Sequence, residues 1–235
     1  MKGLIKSLLD TDFYKITMGQ FVWRRFPNIM VKYNFIDRGN TAFPKGFKEA
    51  LEEEIKKLSR LSFKESEIAY LKDTYGHFLA KDYLAWLAGY QFNPEEVKIS
   101  EDGGNLQIEI VGPWHRTIFW EVPLMAIVSE TYFEMTGQNE KAGWRLKAFF
   151  KAFMLWLFGA TWADFGTRRR KSLAVQRTVL TIASFFKKVK RGGLVGTSNP
   201  YLAMLLGIKS IGTMAHELFM VLAPIYGYRK ATKMI

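Results

Sequence analysis

Apolar residues recur at helical spacing across Phe43–Leu61, where Phe47, Leu51, Ile55 and Leu58 share one face of an amphipathic helix. Ser62-Phe63-Lys64-Glu65 has the hydroxyl-to-carboxylate spacing of a capping box and predicts the start of the next helix. The period then changes to two. Val97 and Ile99, then Leu106, Ile108 and Ile110, alternate with polar residues around Asp102-Gly103-Gly104, the pattern of a β-hairpin. Pro123–Met135 and Ala142–Phe158 read as helices. The longest apolar run, Ala152–Ala163, lies between Lys151 and Asp164. It is shorter than the roughly 18 residues of a membrane span and reads as a buried helix leading into a strand.

After Thr161 short apolar segments alternate with helical ones. Thr161–Gly166, Gly193–Thr197 and Ser210–Thr213 each run directly into a helical pattern, over Arg169–Lys187, Pro200–Leu206 and Met214–Val221. Such alternation predicts βα units on a parallel sheet, and ligands in such units gather at the carboxyl ends of the strands. The expectation is an α/β protein, with an N-terminal α+β domain over residues 1–130 and a βα domain over residues 131–235.

Composition narrows the chemistry. The chain has 235 residues, 49% of them hydrophobic and 15% aromatic, enough for a sizeable core. It has no cysteine, which excludes a disulfide scaffold, a thiolate metal site and a cysteine nucleophile, and fits a cytoplasmic location. A net charge of +12 points to anionic partners. The start is not a signal peptide, because Asp10 and Asp12 interrupt it early.

Three motifs fall at the expected strand ends. In Gly212-Thr213-Met214-Ala215-His216-Glu217, a Thr213 cap would put His216 at the third helical position. A helix N-terminus there would keep the imidazole neutral and would stabilise a phosphoryl group placed on it. His77 and His115 lack such a setting and read as buried structural residues. In Asp164-Phe165-Gly166-Thr167-Arg168-Arg169-Arg170, Arg168 can present a planar fork to a carboxylate or phosphate, and Phe165 a ring face to a flat heterocycle. No glycine-rich loop or HRD segment accompanies this DFG triplet, so it is not a kinase motif. In Gly196-Thr197-Ser198-Asn199-Pro200, proline stands at a first helical position; the segment is either an anion site or simply a capped helix.

Taken in order, these motifs resemble those of the nicotinate phosphoribosyltransferase family. So do Leu9-Asp10-Thr11-Asp12-Phe13-Tyr14-Lys15-Ile16-Thr17-Met18, Trp120-Glu121-Val122-Pro123-Leu124 and Ser129-Glu130. The resemblance runs from about Leu8 to Phe219 and implies an incomplete (β/α) barrel of the type II phosphoribosyltransferase kind after the N-terminal domain, the family continuing for further βα units. It implies transfer of phosphoribose from phosphoribosyl pyrophosphate to nicotinate, coupled to ATP through a phosphohistidine and requiring Mg2+. It places the phosphohistidine at His216 and puts Tyr14, Phe165, Arg168, Ser198 and Thr213 at substrate. Tyr14 would enter the site of a neighbouring subunit in a homodimer. Ser198 stands where nicotinamide-using relatives carry an aspartate, which would repel the nicotinate carboxylate. No nucleic-acid or membrane partner is implied. The competing expectations are an inactive relic that keeps only a subunit interface, and a basic RNA-binding protein using Arg168–Lys171 and Lys187–Arg191, for which no RNA-binding motif is present.

Overall fold

The computed structural model describes residues 3–37, 39, 41–102, 105–138, 140–186 and 192–231. The expected Lys187–Arg191 patch and the glycines of the hairpin turn lie outside them. The chain is α/β, as its pattern predicts. Helix α1 (Phe13–Arg25) leads to strand β1 (Met30–Asn34), then to helices α2 (Phe47–Leu58), α3 (Glu65–Tyr75) and α4 (Lys81–Ala88). Strands β2 (Val97–Asp102) and β3 (Asn105–Pro113) form the expected hairpin, with Val97 opposite Ile110 and Ile99 opposite Ile108. Strand β1, which the pattern did not reveal, pairs antiparallel with the far edge of β3 to give the order β1-β3-β2. Every second residue of β3 is buried, so Leu106, Ile108 and Ile110 face the core.

Several helix starts differ from the expectation, those of α2 and α3 among them. Helix α2 begins only after Gly46, which takes a left-handed φ of 82° that shapes the chain entry and trims the amphipathic segment. The cap of α3 is Lys64 rather than Ser62. Its amide donates to the Glu67 carboxylate at 3.0 Å, and Glu67 also accepts from Ser7, so the reciprocal carboxylate sits two residues beyond the expected one.

A short helix α5 (Trp114–Thr117) and the long α6 (Glu121–Met135) complete the first core, in which Trp114 and Trp120 are fully buried. Helix α7 (Trp144–Leu157) then precedes β4 (Thr161–Asp164). The apolar run Ala152–Ala163 is not a buried helix. Only Ala152 of α7 is buried, while Met154, Leu155, Leu157 and Phe158 are exposed. The helix lies outside the sheet, packing one side on α8 (Leu173–Ser184) and on β5 (Gly193–Thr197).

Strands β4 and β5 pair in parallel, as the βα pattern requires. The expected third strand over Ser210–Thr213 is reduced to one parallel bridge between Thr197 and Ser210, because the chain turns away at once toward α10 (His216–Tyr226). Gly196 makes this approach possible: a Cβ there would lie 2.1 Å from the Lys209 carbonyl oxygen. Helix α9 (Pro200–Leu206) follows β5, capped by the Asn199 side chain on the Leu202 amide at 3.0 Å. A second small core joins Ala152, Leu180, Ala183, Leu194 and Leu202, whereas Leu218, Leu222 and Ala223 of α10 pack into the first core. The short helix α11 (Tyr228–Ala231) ends the described chain.

Candidate active site

The segment 9–14 lies across the carboxyl ends of β4 and β5. The Tyr201 amide donates to the Leu9 carbonyl at 3.1 Å, the Phe13 amide to the Ser198 carbonyl at 2.6 Å, and the Ser198 amide to the Asp164 carbonyl at 2.8 Å. Two buried aspartates in this segment meet two arginines of the Asp164–Arg170 motif.

Asp10 and Arg170 are both buried and pair through both carboxylate oxygens at 2.5 and 2.8 Å. Arg170 also holds Glu130 of α6 at 2.5 Å. Asn199 donates to Asp10 at 2.7 Å and to Thr167 at 3.1 Å. Gln176 joins Thr167 to Asp164, whose carboxylate also accepts from Thr197 at 2.7 Å. One guanidinium thus serves two carboxylates. Burial pushes the Glu130 carboxyl up to about 7, against the pull of Arg170. A carboxyl raised in the folded chain stabilises it most below its unfolded pKa, and that contribution is lost as pH rises through the folded value. Chain stability is therefore expected to fall between about pH 4.5 and 7, by about 3 kcal/mol at most from this group, and Glu130→Gln to flatten that slope in urea titrations at several pH values. An unchanged slope in the variant would show that Glu130 titrates normally.

The second arginine, Arg168, is one-third exposed. It contacts Asp12 at 3.3 Å and Glu121 at 2.8 Å. Ser198, fully buried, donates its hydroxyl to Asp12 at 2.6 Å. Glu121 is shared with Lys15 at 2.6 Å, and Lys15 also bonds Glu217, the neighbour of His216. Lys15 is fully buried; burial acts to lower its pKa, but Glu217 and Glu121 outweigh this and hold the ammonium charged. Burial likewise opposes ionised Glu121, yet Lys15 and Arg168 keep its pKa below normal. Burial raises the Asp12 pKa in spite of Ser198 and Arg168. The Tyr14 hydroxyl is held protonated by burial and by the nearby Glu121 and Asp12 carboxylates.

A cavity of about 1160 Å3 opens beside this cluster. Its wall brings together Arg168, Arg169, Glu121, Glu217 and His216, with an apolar side from β1 and α10. Two of the expected site residues, Arg168 and His216, thus share one cavity. Tyr14 and Ser198 stand behind it, buried around Asp12. Phe165 is exposed at the end of β4, and Thr213 is exposed in the loop before α10. Gly212 of that loop packs against Phe13 and Tyr14, where a Cβ would meet the Phe13 ring at 3.4 Å.

Thr213 does not cap α10. The cap is Ala215, in extended conformation, and His216 is the first helical residue rather than the third. The Ile211 amide donates to the Thr197 carbonyl and the Ala215 amide to the Met18 sulfur, which ties the loop down at both ends before the helix begins. His77 is exposed, edge-on to Phe78 at 4.6 Å, and is not a core residue; His115 is half-buried against Trp86. Lys15, Glu121, Glu130 and Glu217 lie within the quoted motifs but are not among the expected site residues. Their signal was a lone charge among residues that the helix buries, as with Glu130 in the buried stretch that includes Ala126, Ile127 and Val128.

Parallel strands, with an arginine and a histidine lining one cavity beside their carboxyl ends, define an α/β protein whose candidate site lies where such folds gather their ligands. The model of the nicotinate phosphoribosyltransferase N-terminal domain matches residues 9–129, and that of the nicotinate phosphoribosyltransferase family matches residues 160–233. The chain belongs to the nicotinate phosphoribosyltransferase family. It is 42% identical to the nicotinate phosphoribosyltransferase of Desulforapulum autotrophicum over 97% of its own length and 58% of that protein's. It is 40% identical to that of Chromohalobacter salexigens, over 98% of this chain and 59% of the relative. The crystal structure of the Porphyromonas gingivalis enzyme superposes with a TM-score of 0.90 at 34% identity, covering 98% of this chain and 59% of that one. A putative nicotinate phosphoribosyltransferase from Saccharomyces cerevisiae gives a TM-score of 0.90 at 34% identity, covering 99% and 60%. The chain thus spans about three-fifths of the length of these relatives. Among the described residues no helix is long and apolar enough to cross a membrane.

Proposed function

We propose that this chain carries the nicotinate-recognising part of a cytoplasmic nicotinate phosphoribosyltransferase, which makes nicotinate mononucleotide and pyrophosphate from nicotinate and phosphoribosyl pyrophosphate with coupled use of ATP. The observation that carries the reading is the cavity shared by Arg168 and His216. In the reaction the pyridine nitrogen forms a bond to the ribose anomeric carbon as the bond to pyrophosphate breaks, and pyrophosphate leaves with the electron pair.

Arg168 is the residue for the nicotinate carboxylate. Asp12 and Glu121 fix its guanidinium, so a carboxylate at its exposed side meets a fork already held in place. Phe165 supplies one ring face. It has no ring partner among the described residues, which suits a second ring brought by substrate and by Tyr14 of a neighbouring subunit in a homodimer. Tyr14 is buried in its own chain, so that exchange requires the start of α1 to reorganise on assembly. Thr213 lies in the loop that packs on Phe13 and Tyr14, and is the proposed second contact to nicotinate. His216 is the proposed phosphoryl acceptor.

The carboxylates here do not suit a protein-built Mg2+ cage. Glu121 and Glu217 are held by Lys15, and Asp12 by Ser198 and Arg168. Among the described residues no cluster of three His, Asp or Glu side chains has metal-binding geometry. Mg2+ would therefore arrive with the polyphosphate, where it neutralises charge.

Ser198 is the proposed specificity position. An aspartate there would stand beside Asp12 and add negative charge next to the nicotinate carboxylate. In a protein carrying this chain together with the remaining length of its relatives, Ser198→Asp is expected to lower kcat/KM for nicotinate relative to nicotinamide by about tenfold or more. An unchanged ratio would remove Ser198 from the carboxylate's surroundings. Failure of the unsubstituted protein to form nicotinate mononucleotide would overturn the functional reading itself.

A further inference from the structure

The arginines of Asp164–Arg170 are not equivalent. Arg170 is buried and spent on Asp10 and Glu130. Arg168 is tied to Asp12 and Glu121. Arg169 lies between them in a single 3-10 turn, its amide donating to the Gly166 carbonyl at 3.0 Å, and its side chain is exposed on the wall of the cavity that His216 also lines. The other charged groups of that wall are accounted for: Glu121 by Lys15 and Arg168, Glu217 by Lys15, and Lys32 by Glu109 at 2.6 Å. Among the described residues Arg169 has no carboxylate within salt-bridge distance. The cavity therefore has its acids neutralised from behind by a buried lysine while one guanidinium is left unspent at the mouth.

The geometry points to Arg169 as the binding residue for a phosphoryl oxyanion of a soluble polyphosphate, set at the cavity mouth and separate from the carboxylate-reading role of Arg168. A guanidinium gives two parallel N–H donors to phosphate oxygens, and one without a protein carboxylate has none to give up when it does so. Its charge adds to that of Arg168 without sharing partners, so a ligand with a carboxylate at one end and phosphates at the other would span the two. The inference rests on the proposed function only for which substrate supplies the phosphates.

Because Arg169 is exposed, replacing it leaves the fold undisturbed. Inorganic pyrophosphate binding to the chain, followed by calorimetry at low ionic strength, is expected to weaken about ten- to a hundredfold in Arg169→Gln and to be largely retained in Arg169→Lys. Lys147→Gln, which removes an exposed cation of α7 that does not line the cavity, is expected to change binding less than twofold. ATP and phosphoribosyl pyrophosphate, each used as competitor, distinguish the two sources of the phosphates. Absence of pyrophosphate binding, equal weakening by Arg169→Gln and Lys147→Gln, or displacement by neither competitor would overturn the proposal. Nicotinate binding is measured on the same proteins. Its absence alongside intact, Arg169-dependent pyrophosphate binding would count against the substrate reading and leave the anion site standing.

Discussion

Arg170→Met is expected to destabilise the folded chain by about 3–5 kcal/mol, the largest effect of any single substitution at the strand ends. Methionine keeps the bulk of the stem, so the loss reports the charge and its hydrogen bonds rather than a cavity. Without the guanidinium, Asp10 and Glu130 face each other in a buried site that also holds Asn199 and Gln176. Glu130, with its pKa already near 7, takes up a proton at little cost; Asp10, wholly buried, bears most of the penalty. Urea denaturation should show a lower midpoint with an unchanged slope. Adding Asp10→Asn to Arg170→Met should recover part of the loss, because the uncompensated carboxylate is then gone. A loss under about 1 kcal/mol in the single variant would mean that the triad is hydrated and does not clamp segment 9–14 onto the strands.

That clamp explains what could and could not be read along the chain. The βα alternation after Thr161 and the period-two pattern of Leu106, Ile108 and Ile110 are local signals, and β4, β5 and the β2–β3 hairpin formed as expected. Strand β1 escaped notice because Met30 and Ile36 are apolar yet exposed, which blurs the alternation of Val31 and Tyr33. The third strand is cut short because the chain leaves β5 after the Thr197–Ser210 bridge and turns toward α10, a tertiary outcome with no local pattern. The same holds at the site. Arg168 and His216 stood out because each lies in a motif at a strand-to-helix junction. Lys15, Glu121 and Glu217 come from three distant segments, and only their charge within apolar helical faces hinted that each would need a partner. Thr213 was expected as a cap on propensity, but the bonds of Ile211 to Thr197 and of Ala215 to Met18 tie the loop past it and the helix starts at His216.

His216 is exposed on the cavity wall, and its neighbour Glu217 is turned inward to Lys15. An exposed imidazole at the first helical position has free space for a phosphoryl group, and helix N-termini favour negative charge. Phosphorylation there would place that charge within the cavity that Arg168 and Arg169 also line. His77, just beyond α3, and His115, against Trp86, do not line that cavity.

The most direct test is to incubate a protein carrying this chain and the remaining length of its relatives with radiolabelled MgATP, then to map the phosphorylated residue by mass spectrometry. An acid-labile, base-stable phosphate on His216, absent from His216→Asn together with the stimulation of turnover by ATP, is the predicted result. Label on His77 or His115, or ATP-stimulated turnover with no labelled histidine, would contradict it.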